Sequence, residues 1–129
     1  MASLFSRIIA GEIPCFKVAE NDDFFAFLDI NPLAKGHSLV VLKKEVDYIF
    51  DVDDELLSRM LPFAKELGLK IEKVVPCERI GLAVIGLEVP HCHIHLIPIN
   101  GIHDIDFSRP KLQFSEAEMA EIAEAIRTA

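Results

Sequence analysis

The chain has 129 residues, 51% of them hydrophobic, with a formal net charge of −8 at pH 7 and a mean hydropathy of +0.32. This length and apolar content exclude a disordered chain and are enough for a real core, so residues 1–129 are read as one domain. No apolar run approaches the roughly 18 residues of a membrane span, and the acidic balance argues against a nucleic-acid polymer as partner.

Residues 2–10 are expected to form a short helix, with Ser3 as N-cap and Leu4, Phe5, Ile8 and Ile9 on its apolar side. Gly11 stops it, and Ile13-Pro14 leads out extended. Residues 16–19 and 24–28 are β-prone runs around an Asn21-Asp22 turn, a hairpin pattern, and Asn31-Pro32 ends the second run. Residues 38–42 read as a third strand. From 53 to 73 the positions Leu56, Leu57, Met60, Leu61, Ala64, Leu67 and Ile71 keep helical spacing, with a kink expected at Pro62. Residues 79–85 and 89–97 give two more strands and 99–113 a loop. Ser115-Glu116-Ala117-Glu118 is a capping box for a C-terminal helix. Hairpins with separate helices predict an α+β fold with an antiparallel sheet. Cys15, Cys77 and Cys92 are odd in number and widely spaced, so free thiols in a reducing cytoplasm are expected. The first residues lack the charge and apolar run of a secretory signal.

The segment His91-Cys92-His93-Ile94-His95-Leu96-Ile97-Pro98 puts three histidines on alternate residues. On a strand they would share one face, with Cys92, Ile94 and Leu96 turned to the core. Imidazoles in this pattern suit metal ligation, nucleophilic and acid–base catalysis, or a satisfied structural role, and the spacing leaves all three open.

The segment resembles the signature of the histidine triad (HIT) nucleotide-binding family, His-φ-His-φ-His-φ-φ with φ apolar. Gly11-Glu12-Ile13-Pro14, Ala26-Phe27-Leu28-Asp29-Ile30-Asn31-Pro32 and Gly36-His37-Ser38-Leu39-Val40-Val41 look like the same family in the same order. The likeness covers about residues 3–98, and the nearest branch is the purine nucleoside phosphoramidases and their bacterial relatives. It implies a five-stranded antiparallel sheet with one long and one or two short helices, and no cofactor. It also implies a homodimer through helix and strand, for which the 53–73 helix offers a face.

The resemblance makes His93 the nucleophile on the α-phosphorus of a nucleotide, forming a covalent nucleotidyl-imidazole that water hydrolyses. The reference imidazole pKa of about 6.5 leaves such a group largely neutral at pH 7. His95 would protonate the leaving group, while His91 and His37 would orient the nucleophile and contact phosphate. Asp29 would accept the ribose hydroxyls, and Phe5, Ile8, Ile9 and Ile30 would form an apolar slot for the base. Gly86 would let the backbone approach the phosphate. The plainer readings are a surface histidine at His37, a turn residue at Asp29 and simple core at Phe5, Ile8 and Ile9.

The chain also departs from that pattern. Many relatives carry a Cys-x-x-Cys near the N-terminus and a later His that hold a structural zinc. Here Ser3-Leu4-Phe5-Ser6 and Glu45 stand in those places, so no metal is expected. Glu88 replaces a hydroxyl that would touch phosphate, Ile99 replaces an Arg after the Pro, and His103 reads as solvent-facing. The implied substrate is a small purine ribonucleotide, cleaved at the α-phosphate of a nucleoside 5′-phosphoramidate. The alternatives are a dinucleoside polyphosphate hydrolase, a non-catalytic nucleotide-binding module, or a metal-dependent hydrolase using His37 as an added ligand.

Overall fold

Two strand segments, Phe24-Phe25-Ala26-Phe27-Leu28 and Ser38-Leu39-Val40-Val41-Leu42, are buried at every position. A strand apolar on both faces needs cover on both sides, and the rest of the chain supplies it. The computed structural model, which describes residues 2–129, has helix α1 (Leu4–Ile9), strands β1 (Lys17–Glu20), β2 (Phe24–Leu28) and β3 (Ser38–Leu42), helix α2 (Asp54–Val74), strands β4 (Arg79–Ala83) and β5 (His93–Ile99), and helix α3 (Glu116–Arg127). The strands form one five-stranded sheet in the order β1-β2-β3-β5-β4, antiparallel throughout, as expected of the α+β reading.

One face of the sheet (Val18, Phe24, Ala26, Leu28, Val40, Leu42, Ile94 and Leu96) packs on Met60, Ala64, Leu67 and Ile71 of α2 and on Met119, Ile122 and Ile126 of α3. The other face carries Phe25, Phe27, Leu39 and Val41, covered by Phe5 and Ile8 of α1. Ser3 caps α1 by accepting from the Ser6 N–H, and Asp53 caps α2 from the Leu56 N–H. In the β1–β2 turn the Asn21 side chain accepts from the Asp23 and Phe24 N–H groups. The expected box at Ser115 and Glu118 opens α3. Helix α2 runs unbroken through Pro62, which lies on its exposed side, where water can take the freed Ser58 carbonyl.

The fifth strand starts later than the residue pattern suggests. The His91 N–H donates to the Val89 carbonyl and the Cys92 N–H to Val46, so neither amide joins the ladder, and regular pairing begins at His93. His93 then lies opposite Val41 and His95 opposite Leu39, on the face that α1 covers. The 99–113 segment holds a single-turn 3-10 helix at Ile102–Ile105 rather than being wholly irregular. No helix among the described residues is long and apolar enough to cross a membrane.

Gly36, immediately before His37, has φ +86, and a Cβ there would sit 2.9 Å from Val75 Cγ2. Left-handed backbone and a tight neighbour act together, so Gly36→Ala is expected to destabilise the fold by about 1–3 kcal/mol. A urea midpoint that falls with an unchanged slope is the expected result.

Candidate active site

His93 opens β5 with its ring only 6% exposed. Its Nδ1 lies 2.7 Å from the His91 carbonyl oxygen. A carbonyl only accepts, so Nδ1 carries the proton and Nε2 carries the lone pair. The Phe5 ring stands edge-on to His93 at 4.9 Å between centroids, and the His95 ring lies 4.9 Å away on the other side.

His95 and His37 form a directional chain. The Leu33 backbone N–H donates to His37 Nδ1 at 3.0 Å, which leaves the His37 proton on Nε2. That Nε2–H donates to His95 Nδ1, also at 3.0 Å, which leaves the His95 proton on its own Nε2. Two adjacent rings thus present a bare nitrogen on His93 and an N–H on His95. Neither Nε2 has a protein partner, and among the described residues no side-chain nitrogen or oxygen sealed from solvent lacks one, so both open to solvent.

Burial, and then the charge His95 would carry, hold His37 down at about 3, and burial followed by His93 holds His95 at about 4. His93 is lowered by burial, partly offset by its bond to the His91 carbonyl and by the Glu88 charge. All three rings are therefore neutral at pH 7. With His37 neutral, its 3.6 Å approach to Asp29 Oδ2 is a dipolar contact and not an ion pair.

Asp29 fills the turn role with one oxygen and leaves the other beside His37. Oδ1 accepts from the Asn31 N–H at 2.8 Å, which is the turn function, while Oδ2 faces His37. Burial raises its pKa; Lys111 opposes this and Glu88 adds to it. Glu88 is exposed, yet its field reaches both Asp29 and His93. Ile30 is 69% exposed next to Asp29, whereas Phe5 and Ile8 are buried in the cluster under α1. Gly86 has φ +76 in the connection between β4 and β5, with nothing within 4 Å of a built Cβ. His103 is exposed, and Cys92 is buried with its thiol pushed up to about 11, an inert spacer.

His91 differs from the expectation of a phosphate contact. It lies before the strand, fully buried, with Nε2–H donating to the Leu42 carbonyl and Nδ1 accepting from Ser3 Oγ, both at 2.6 Å. Neither nitrogen is left for a ligand. Its contribution to orientation runs through its backbone carbonyl.

Residue patterning missed Phe107. Its ring stands edge-on to His95 at 4.8 Å and to His37 at 6.3 Å. Lys111 Nζ donates to the Phe107 carbonyl, and the Leu112 N–H donates to the Pro32 carbonyl, tying this segment across the site. An aromatic residue in a loop without regular periodicity was the available signal.

Two groupings bear on metals. Asp29, His37 and His95 offer ligand atoms within 4.8 Å of one another, a set chemically able to take a divalent ion. Binding there would have to displace the proton between His37 and His95. The stretch matching the family's zinc ligands brings together Ser3, Ser6, Glu45 and His91. Two hydroxyls and a carboxylate that already satisfy one another do not fit a structural zinc, which takes thiolate and imidazole.

A five-stranded antiparallel sheet with paired open imidazole nitrogens on one strand, and a carboxylate beside them, defines an α+β domain of the histidine-row class. A profile of the HIT domain matches residues 10–101, and the chain belongs to the HIT family. The adenosine 5′-monophosphoramidase of Schizosaccharomyces pombe is 32% identical over 132 residues, 98% of this chain and 96% of its own length. That of Saccharomyces cerevisiae is 39% identical over 99 residues, and the match covers 75% of this chain but only 62% of the relative. Among solved structures, a HIT-like protein of Bartonella henselae has a TM-score of 0.84 at 28% identity, covering 98% of this chain and 94% of that one. A zinc-bound histidine triad family protein of Mycobacterium smegmatis, at 21% identity and TM-score 0.84 over 99% of this chain and 92% of that one, shares the fold.

The depressed imidazoles couple stability to pH. The unfolded chain binds protons near the free-imidazole value of 6.5, while folded His37 and His95 bind them only near 3 and 4. Between these values the unfolded state holds more protons, so stability is full above about pH 6.5 and falls as the solution is acidified. Urea midpoints measured from pH 7 to pH 5, where most carboxylates stay ionised, are expected to decline. A flat profile would contradict the buried neutral pair.

Proposed function

We propose that the protein is a metal-independent nucleotide hydrolase that splits the P–N bond of a nucleoside 5′-phosphoramidate. The observation that carries this reading is the pairing of a bare His93 Nε2 with a His95 Nε2–H on one open face. Family membership and the phosphoramidase relatives support it.

In the first step the His93 Nε2 lone pair forms a bond to the α-phosphorus, and the bond from phosphorus to the leaving nitrogen breaks. The electron pair goes with the nitrogen, which departs as an amine. With His95 neutral and its Nδ1 already receiving the His37 proton, His95 acts as a hydrogen-bond donor at the phosphoryl group, and the substrate reacts in its N-protonated form. The phosphorylated ring of His93 carries positive charge, which its Nδ1–H shares with the His91 carbonyl. In the second step water attacks phosphorus, the N–P bond breaks, His93 recovers its lone pair, and the nucleoside monophosphate leaves as the water proton passes to solvent.

Asp29 Oδ2 would hold the ribose hydroxyls, and the exposed Ile30 would meet a purine base. Glu88, whose field reaches Asp29 and His93, suits a leaving group that is an amine better than a second phosphate. This favours the phosphoramidate over the dinucleoside polyphosphate. A two-fold homodimer belongs to the same reading, supported by Leu61 and Leu69 on α2 and Leu82 on β4, each about half exposed.

The test is rapid-quench intact mass spectrometry of metal-stripped protein with adenosine 5′-phosphoramidate. An adenylyl adduct and AMP on the native chain, both lost in His93→Ala, are expected. AMP release that survives the substitution would overturn the covalent step. Activity that appears only on adding zinc would move the chemistry to Asp29, His37 and His95.

A further inference from the structure

The cluster at the start of α1 is not used by the chemistry above, yet every link in it leads to His93. Glu45 Oε1 accepts from the Ser3 N–H at 2.7 Å and from the Ser6 hydroxyl at 2.6 Å. Those two bonds hold the carboxyl at about 2, the Ser6 hydroxyl contributing more than the Ser3 amide. The Ser3 hydroxyl accepts from the Ser6 N–H at 3.0 Å and donates to His91 Nδ1 at 2.6 Å. The direction of that last bond follows from the other end of the ring, where Nε2–H donates to Leu42. A buried imidazole is thus pinned at both nitrogens. The same residue's carbonyl is the partner of His93 Nδ1.

A second arm reaches His93 through the helix itself. Ser3 caps α1, and Phe5, two residues on, stands edge-on to His93 at 4.9 Å and tilted to His91 at 5.8 Å. Fixing Ser3 therefore fixes both the acceptor for Nδ1–H and the wall against which the ring leans. Had the cluster served only to fasten the start of α1, the hydrogen bonds from Ser3 and Ser6 to Glu45 would suffice. The bond from Ser3 to a buried histidine whose carbonyl orients the nucleophile is the part a fastening role leaves unexplained.

We propose that Glu45, Ser3 and His91 form a metal-free strut whose work is to position His93, with Ser3 and Glu45 as positioning residues for the reaction. The inference rests on the phosphoramidase reading for its kinetic test and is independent of it for its spectroscopic one.

The experiment measures kcat and KM on adenosine 5′-phosphoramidate, together with imidazole ¹H–¹⁵N correlation spectra, for the native chain and for Ser3→Ala, Glu45→Ala and Glu45→Gln. Ser3→Ala is expected to lower kcat roughly tenfold, the low end for partners that orient a functional histidine, with KM within about twofold. The His93 ¹⁵N shifts should move toward a mixture of tautomers. Glu45→Ala should move both readouts the same way by a smaller amount. Glu45→Gln should restore them, because a single carbonyl oxygen can accept both bonds that Oε1 accepts now.

If Ser3→Ala and Glu45→Ala lower only the melting temperature, leaving kcat and the His93 shifts at native values, the strut is a fastening and the proposal is overturned. If Ser3→Ala does not fold, Glu45→Ala against Glu45→Gln decides the matter by the same two readouts. Should the native chain not turn over the phosphoramidate at all, the function reading fails, and the His93 shifts alone decide the strut.

Discussion

The hydrogen bond from His93 Nδ1–H to the carbonyl of His91, two residues back along the chain, is the constraint on which the site depends. An imidazole has two nitrogens and, when neutral, one proton. Committing that proton to a backbone carbonyl leaves the other nitrogen bare and fixes the plane of the ring. The carbonyl is only as well placed as His91, whose side chain is gripped between Ser3 and Leu42. On the far side the order of protons is set by a backbone amide, that of Leu33, and is passed through His37 to His95. Opposite polarity at neighbouring Nε2 atoms thus follows from two main-chain groups and not from titration.

The fold supplies this constraint by covering one sheet on both faces. The β3–β5 pairing sets His93 against Val41 and His95 against Leu39, within an apolar layer that keeps the rings neutral. The same apolar layer makes a charged imidazole costly, so at rest the open face offers a lone pair on His93 and an N–H on His95. Lys111 is a cation whose field reaches Asp29 and His37, and it sits on the segment that carries Phe107 over His95.

Much of this was legible in the residues. The unbroken apolar runs at 24–28 and 38–42, the helical spacing from 53 to 73 and the box at Ser115 each reported a local preference that the tertiary structure keeps. Three things were not legible. Alternation suggested that His91 shares a face with His93 and His95, but its N–H turns back to the Val89 carbonyl and its side chain bonds the Leu42 carbonyl before the ladder begins, and no local pattern encodes the contact with Leu42. Phe107 acts on His95 from a segment with little periodicity, and such contacts depend on where a loop returns. Ser3 read correctly as a cap, yet its bond to His91 spans 88 residues and is invisible to any local window.

The most direct test of this account is the tautomeric state of the four buried histidines in the native chain, read from the ¹⁵N shifts of the imidazole nitrogens at pH 7. The account predicts a protonated Nδ1 on His93 and a protonated Nε2 on His37, His91 and His95, with none of His37, His93 and His95 doubly protonated. A proton on His93 Nε2, or a cationic His95, would contradict it, because the bare nitrogen and its neighbouring donor would then not exist.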